Sequence, residues 1–557
     1  MKAVRTGYAG WGTMRTDAPG RAKDPPKSPL PASEAQGGVE RIKLVPIAFT
    51  QLRITFFPWM VSSASGSLME KTRSYIEEFN AIDRELDKHE ISADIKNAQS
   101  VDFLLKNAPR FECPDPAIEK AFAFRFWTLR KHFFRTHLGW CVSEFMDRTA
   151  ISCPVGHHFR EGRWLHDRSI FDDYARYWFR PGNGCRKPLN GPGSYINWFV
   201  QGLLAYEDVT GNKDLAHSLL PELVKNYEKW EKGWGAGPWP NPGIYQMGLR
   251  DDGLFHDVDD REGTELTLSG NGARVHVNAM MYGEAKGIAA IAARQGMWDI
   301  ASAFEARAEN LAKLVKERLW NKDLGFFTPL RDDGTLAPVC ELHGYSPWYS
   351  RMPLDEGHAV AWRYLVDAKN GFKAPYGLTF PVQSAPGFRV AYTGHMCQWN
   401  GPSWPFATSV ALTALANAIE DGAKLPIGKK EWFEAFRQYA RQHYQKLPDG
   451  REIPWVDEVY DPFSGDWYAY KRMKRTTIRG YNHSTFCDLV ISCLVGLKAD
   501  AAGNAVVNPM IPDDWTYFRL ENVPFRGSVL SVTYDRDGTR YGLGKGLKIS
   551  QKFMTKQ

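Results

Sequence analysis

A mainly α-helical fold, its helices packed in pairs around a ring and followed by a small β-strand region at the C-terminus, is what this sequence predicts. Three observations predict it. From about Asp102 to Leu497 apolar residues recur at three- or four-residue spacing. The helical passes are separated by loops rich in Gly, Pro and Trp, longer than a simple bundle needs. After Leu497 the period shortens to the alternation of strands, in YFRLENV and GSVLSVTYD.

Taken in order, residues 1–40 carry Arg, Lys, Pro, Gly and Ser with little apolar content, and read as a disordered lead or a misassigned start. Residues 41–100 form an N-terminal segment expected to be partly β. Within it LVPIAFTQLRITFFPWMVSSASG, Leu44–Gly66, is apolar but interrupted by Pro46, Arg53 and Pro58. It starts too far in for a standard secretory signal, so a cytoplasmic location is expected, with export the alternative; no membrane span follows.

The helical body is expected over 101–499. Met297–Trp320 shows it well: Ile300, Phe304, Ala308, Leu311, Val315 and Leu319 make one buried face between Glu, Arg and Lys. Comparable passes fall at Ala121–His137, Ser194–Thr210, Leu215–Lys232, His276–Arg294, Asp355–Asp367, Ser403–Asp421, Lys430–Leu447 and His483–Leu497. Residues 500–557 are too few for an independent sandwich. Their strands, joined by Asp-Gly turns, are expected to pack on the helical body or to pair with strands near residues 40–65.

Composition narrows the function. A net charge of +6 over 557 residues, without a basic stripe, argues against nucleic acid as a partner. The eight cysteines are scattered with no CxxC, so neither zinc nor a disulfide framework is expected. His157, His158 and His166 share a segment but lack metal-ligand spacing, and no metal or organic cofactor is expected. Twenty Trp and 23 Tyr are the unusual part: flat apolar faces with polar edges suit sugar rings, although many such residues fill large cores.

Two acidic segments carry candidate chemistry. DDGLFHDVDDREGTELTLSG, Asp251–Gly270, is the densest carboxylate run; a solvated loop is its plainest reading, and a calcium loop fails because Arg261 stands where a ligand should. EIPWVDEVYDPFSGDW, Glu452–Trp467, interleaves carboxylates with indoles, which is costly to bury without pairing or function. A carboxyl against aromatic faces is held protonated, while one surrounded by donors stays ionised; glycoside hydrolysis needs such an acid and base.

The set RWLHD (163–167), GTELTLSG with RVHVN and YGEA (263–285), GYSPWY (344–349), CQWNGPSWPFAT (397–408), DEVYDPFSG (457–465) and YNHSTFCDLV (481–490) resembles the six-hairpin glycosidases. Among these it is most similar to the group around mannosylglycerate hydrolase and glycoside hydrolase family 63, over roughly residues 120–540. The resemblance implies an (α/α)6 barrel, a six-hairpin toroid, with a pocket at the open end and hydrolysis with inversion. It places the general acid on Glu265, with Asp260 and Glu262 as rivals, and the general base on Glu458. Many family 63 members have Asp at the acid and Trp-Ser-Ala near the last helix, where this chain has Glu265 and Tyr481-Asn482-His483-Ser484, so their substrate does not transfer.

Pocket candidates around the two carboxylates are Trp164, Asp167, Arg274, Asn278, Trp348, Gln398, Trp399, Asn400, Trp404 and His483. Trp faces offer stacking, and the polar groups can read hydroxyls through directional hydrogen bonds. Each has a structural alternative: Asn278 as a cap or cross-link, Arg274 as a carboxylate partner, Asp167 as a helix-terminal charge, His483 as a structural hydrogen bonder, and Trp399 and Trp404 as core. The expected activity is hydrolysis of an α-linked gluco- or manno-type glycoside. A sugar epimerase, a phosphorylase and a non-catalytic carbohydrate-binding protein are the alternatives.

Overall fold

The computed structural model describes residues 63–86, 94–191, 194–236, 245–258, 265–390, 397–467 and 479–553, all within one compact unit, Ile54–Gln557. Asp260, Glu262, residues 1–40 and the apolar run up to position 62 lie outside the described residues. Two helices open the described chain, α1 (Ser63–Leu86) and α2 (Asn97–Asn107). Where partial β structure was expected before residue 100, the described residues are therefore helical in the main.

From here long helices alternate between two environments. The next helix, α3 (Pro116–Arg130), is entered through Pro116 at its first turn and capped by Asp115, whose carboxylate accepts the Ala117 N–H at 3.0 Å. There follow α4 (Val155–Gly162), α5 (Ser169–Tyr177), α6 (Phe199–Thr210), α7 (Lys213–Lys232), α8 (Val275–Arg294), α9 (Trp298–Arg318) and the short α10 (Ser346–Tyr349). A 3-10 turn over Glu356–Trp362 runs into α11 (Arg363–Val366), and α12 (Pro405–Glu420), α13 (Lys429–Arg441) and a π-helical segment, Leu489–Leu494, complete the series.

Sequence dictates which helices lie inside. Most residues of α8 are buried, and α12, PFATSVALTALANAIE, is buried from Pro405 to Ala418. By contrast α9 and α13 bury one face each, as their charged residues require. Each inner helix touches the next in the order α4, α6, α8, α10, α12 and the π-helical segment. That segment returns to α4 through Glu161 and through the 2.6 Å ion pair of Arg163 with Asp488. Small residues permit the close approach: a Cβ on Gly202 of α6 would lie 3.2 Å from Gly156 Cα of α4, and one on Gly287 of α8 would strike Val200 at 2.5 Å.

Tyr517–Phe525, Ser528–Asp535 and Gly546–Phe553 form an antiparallel sheet whose fourth, edge strand is Arg110–Glu112. The expected β layer is thus present and packs on the helical body, where the Arg526 N–H bonds Val209 O of α6 at 2.8 Å. Its edge partner among the described residues is Arg110–Glu112; most of the 40–65 stretch, where a pairing strand was the alternative expectation, lies outside the described residues. The first turn is Arg526-Gly527, not Asp-Gly; the Asp-Gly pair at 537–538 lies in the following loop, where Asp535 accepts the Gly538 N–H. Four further strands, Trp234–Ala236, Tyr245–Leu249, Phe255–Asp257 and Gly272–Ala273, pair in sequence before α8, so the described start of the acidic run is not a plain solvated loop: Asp257 is fully buried. All eight cysteines are free, and among the described residues no helix is long and apolar enough to cross a membrane.

Candidate active site

The loops that enter the inner helices gather at one end. His157 lies in the first turn of α4, Trp198 immediately before α6, His276 in the first turn of α8, His343 just before α10 and Phe406 in the first turn of α12. Their rings pack as a continuous floor: His157 against Trp198 (4.6 Å) and Phe406 (4.8 Å), and His276 stacked on His343 (3.9 Å). Burial drives the His157 imidazole well below its ordinary pKa, so it is neutral.

Over this floor runs the stretch QWNGPSWPF. Trp399 and Trp404 stack on each other at 3.9 Å, 7° apart, and the Trp404 indole N–H closes the loop by donating to Gln398 O at 2.9 Å. Together with the preceding Cys397, the loop reaches the backbone of Glu265 and the carboxylate of Glu458. The Trp399 N–H donates to the Glu265 carbonyl at 3.0 Å, Ser403 and Tyr460 exchange backbone bonds at 2.9 and 3.0 Å, and the Cys397 thiol donates to Glu458 Oε1 at 3.3 Å. Sequence segments separated by almost two hundred positions are thereby fixed side by side.

The electrostatic neighbourhood is shared as well. Burial raises the Cys397 thiol well above its ordinary pKa, and the charges of Glu265 and Glu458 both add to it. Tyr195 is raised by burial and then by Glu265; Tyr481 by burial and then by Glu144 and Glu458. Sequence reading missed Glu144. Its carboxyl is buried and pushed up to about 8, by burial first and by the nearby Glu458 charge, against a hydrogen bond from Tyr481. A lone Glu in the unremarkable run VSEFMD gave no signal of this, because Tyr481 and Glu458, which act on it, lie more than 300 residues away.

Of the predicted pocket residues, His483 lies near the base candidate: buried, edge-on to Tyr481 at 3.8 Å, and beside the backbone of Glu458. Gln398 and Asn400 flank Trp399, Gln398 buried and Asn400 half-buried. Arg274 takes the alternative foreseen for it. Its guanidinium bonds Ser269 Oγ at 3.1 Å and Gly270 O, and lies 3.9 Å from Glu341, which also accepts Leu268 N–H at 2.9 Å and Ser269 N–H at 3.1 Å. This buried pair therefore holds the loop that carries Glu265.

Other candidates are placed elsewhere, which corrects the expectation of sugar contact. Asn278 uses its amide structurally, bonding Phe255 N–H (2.9 Å), Phe255 O (2.8 Å) and Arg274 O (2.8 Å). Trp348 packs in the core against Phe327 and Trp362. The stacked pair Trp399 and Trp404, each 1% exposed, has its indole faces covered. Trp164 donates to Asp488 Oδ1 at 2.8 Å in a cavity lined by the C-terminal halves of the inner helices, away from both carboxylates. Asp167 bonds Ser169 N–H at 3.0 Å, the helix-terminal role at α5.

Several buried polar atoms at the floor have no hydrogen-bond partner among the described residues: both ring nitrogens of His157, Trp399 Nε1 and Asn400 Oδ1. Unsatisfied polar groups in a native interior call for water or a ligand. Neutral donors and acceptors set beside carboxylates match a polyhydroxylated, uncharged molecule.

The model of the mannosylglycerate hydrolase MGH1-like glycoside hydrolase domain matches residues 147–235 and 245–484, and that of the glycosyl hydrolase family 65 C-terminal domain matches 499–551. A solved structure titled "Sialidase" is 32% identical, with a TM-score of 0.76 over 86% of this chain; the chain spans 43% of that structure's length. A family 78 rhamnosidase from Bacillus sp. GL1 is 16% identical over 77% of this chain and 40% of its own, with a TM-score of 0.50, a likeness of fold alone.

Proposed function

The chain belongs to the mannosylglycerate hydrolase MGH1-like glycoside hydrolase family, and from this premise we propose that it is an inverting glycosidase on an (α/α)6 barrel. Glu265 is the general acid and Glu458 the general base. The barrel reading is supported by six inner segments that contact one another in turn and close through Glu161 and Asp488. The substrate class we assign is an α-linked gluco- or manno-type oligosaccharide or glycoside, held by neutral hydrogen-bonding groups such as Asn400 and His483.

One observation carries the catalytic reading: the loop from Cys397 to Trp404 bonds the backbone of Glu265 and the carboxylate of Glu458. The neighbouring histidines are held neutral and poorly basic by burial, which leaves proton transfer to the carboxyls. In the mechanism Glu265 protonates the leaving glycosidic oxygen while Glu458 takes a proton from water attacking the opposite face. Inversion requires the carboxyl groups to stand about 6.5–9.5 Å apart, leaving room for that water.

The test is a screen of α-linked gluco-, manno- and rhamno-oligosaccharides with product anomers followed by NMR. Inverted configuration in the first-formed product is expected, and Glu265→Gln and Glu458→Gln should each lower kcat by about 10²–10⁴-fold. Retained configuration would refute the inverting mechanism, and wild-type turnover in either variant would remove that residue from its role.

A further inference from the structure

We propose that Cys397 is a positioning residue for the base: its S–H donates to Glu458 Oε1 and fixes the orientation in which that carboxylate meets the attacking water. The inference rests on the glycosidase reading of Glu458. Its geometric basis is the 3.3 Å thiol-to-carboxylate bond and the placement of Cys397 at the head of the loop that also bonds Glu265. Two features suit a thiol to this task. It is a small donor that stays protonated here, since burial and the charges of Glu265 and Glu458 all oppose the thiolate. It also carries no charge of its own, so it orients the base without neutralising it, as a Lys or Arg in its place would.

The groups that face Glu458 set what the thiol can change. Glu144 and Tyr481 lie beside it, His483 meets its backbone, Asp457 Oδ1 accepts the Glu458 N–H at 2.7 Å, and Cys153 feels its charge. Glu144, held protonated up to about 8, carries no opposing charge on the acidic side, and the Cys397 donor favours an ionised Glu458. Removing the donor therefore raises the pH at which the base becomes ionised, and moves the acidic limb of the kcat/KM profile upward.

The experiment compares wild type, Cys397→Ala, Cys397→Ser and Glu458→Gln. In Cys397→Ala the acidic limb should move up by about half to one pH unit, with kcat lowered about tenfold and KM within about twofold. Cys397→Ser retains a donor and should bring the limb back towards wild type. A second measurement needs no turnover: the rate of Cys397 alkylation by iodoacetamide, read by peptide mass spectrometry as a function of pH. Its onset should fall to lower pH in Glu458→Gln, where the carboxylate no longer opposes the thiolate. An unmoved onset, or a Cys397→Ala limb that superimposes on wild type while Glu458→Gln is inactive, overturns the positioning role alone. Wild-type turnover in Glu458→Gln overturns the base assignment, and the positioning role with it.

Discussion

Glu144 shows how a single carboxyl is governed by its surroundings. Held protonated up to about 8 in the folded chain, against 4.5 as its ordinary value, it binds its proton more tightly folded than unfolded. Its contribution to stability is therefore fully present below about pH 4.5 and is lost as pH rises to about 8, at up to about 1.4 kcal/mol per unit. Glu144→Gln keeps the shape and removes the titration. Urea midpoints at pH 5, 6.5 and 8 should fall more steeply in wild type than in the variant; equal slopes would show that this carboxyl ionises freely. The tryptophans make a complementary point. Trp399 and Trp404 were legible as important from their density between prolines, yet whether an indole face meets sugar or another indole depends on what packs over it. Here each covers the other, so their contribution is to hold a rigid loop, and the polar atoms beside them are left for the ligand.

Elements are tied together by carboxylates at helix ends. Glu284 on α8 accepts the Val200 and Gln201 N–H groups at 2.9 and 3.0 Å, capping the first turn of α6 from the neighbouring helix. Glu161 of α4 does the same for the last inner segment, accepting Phe486, Cys487 and Asp488 N–H at 2.6, 3.3 and 3.1 Å. A helix N-terminus carries unsatisfied N–H groups and a positive end of the dipole, so a buried carboxylate there satisfies donors that water cannot reach. Glu284→Ala leaves those N–H groups unpaired and should destabilise the fold by about 2–4 kcal/mol in chemical denaturation, with Glu284→Gln less damaging because its amide oxygen still accepts. A loss below about 0.5 kcal/mol in the alanine variant would mean that the first turn of α6 finds other partners. The sequence suggested no such role for either residue: YGEA and FREG look like ordinary helix interiors, and the caps they supply belong to helices about 80 and 325 residues distant.

At the scale of the molecule, two sets of buried groups oppose each other across pH. Glu144 and Glu284, both pushed up to about 8 by burial, lower stability as pH rises from about 4.5 to about 8. His132 and His158, pushed down to about 3 by burial, do the reverse: they are neutral when folded, the unfolded chain takes up protons below about 6.5, and stability is lost as pH falls through that window towards 3. His157, His443 and His483 shift in the same direction. More histidines than strongly raised carboxyls act below 6.5, so thermal stability should peak near about pH 6.5 and fall on both sides. Scanning calorimetry from pH 5 to 8 checks this; a Tm that rises steadily through pH 8 would refute it.

What the sequence determined by itself was the succession of helices, the late change to strands and the family resemblance. Each is carried by residues close together in the chain: apolar spacing, Pro-Gly-Trp loops, short motifs. It also marked the two acidic segments, one by its density of carboxylates and the other by carboxylates set among indoles, and the family resemblance singled out Glu265 and Glu458 within them. The tertiary structure alone decided which candidates meet the site. Trp164 and Asp167 fall past the C-terminal end of α4, whereas Cys397, Glu144, Tyr481 and His157 are drawn to the other end, where the loops entering the inner helices converge. The physical reason is that a ring brings together residues hundreds of positions apart, and the desolvation that gives a carboxyl or an imidazole its character comes from those distant neighbours.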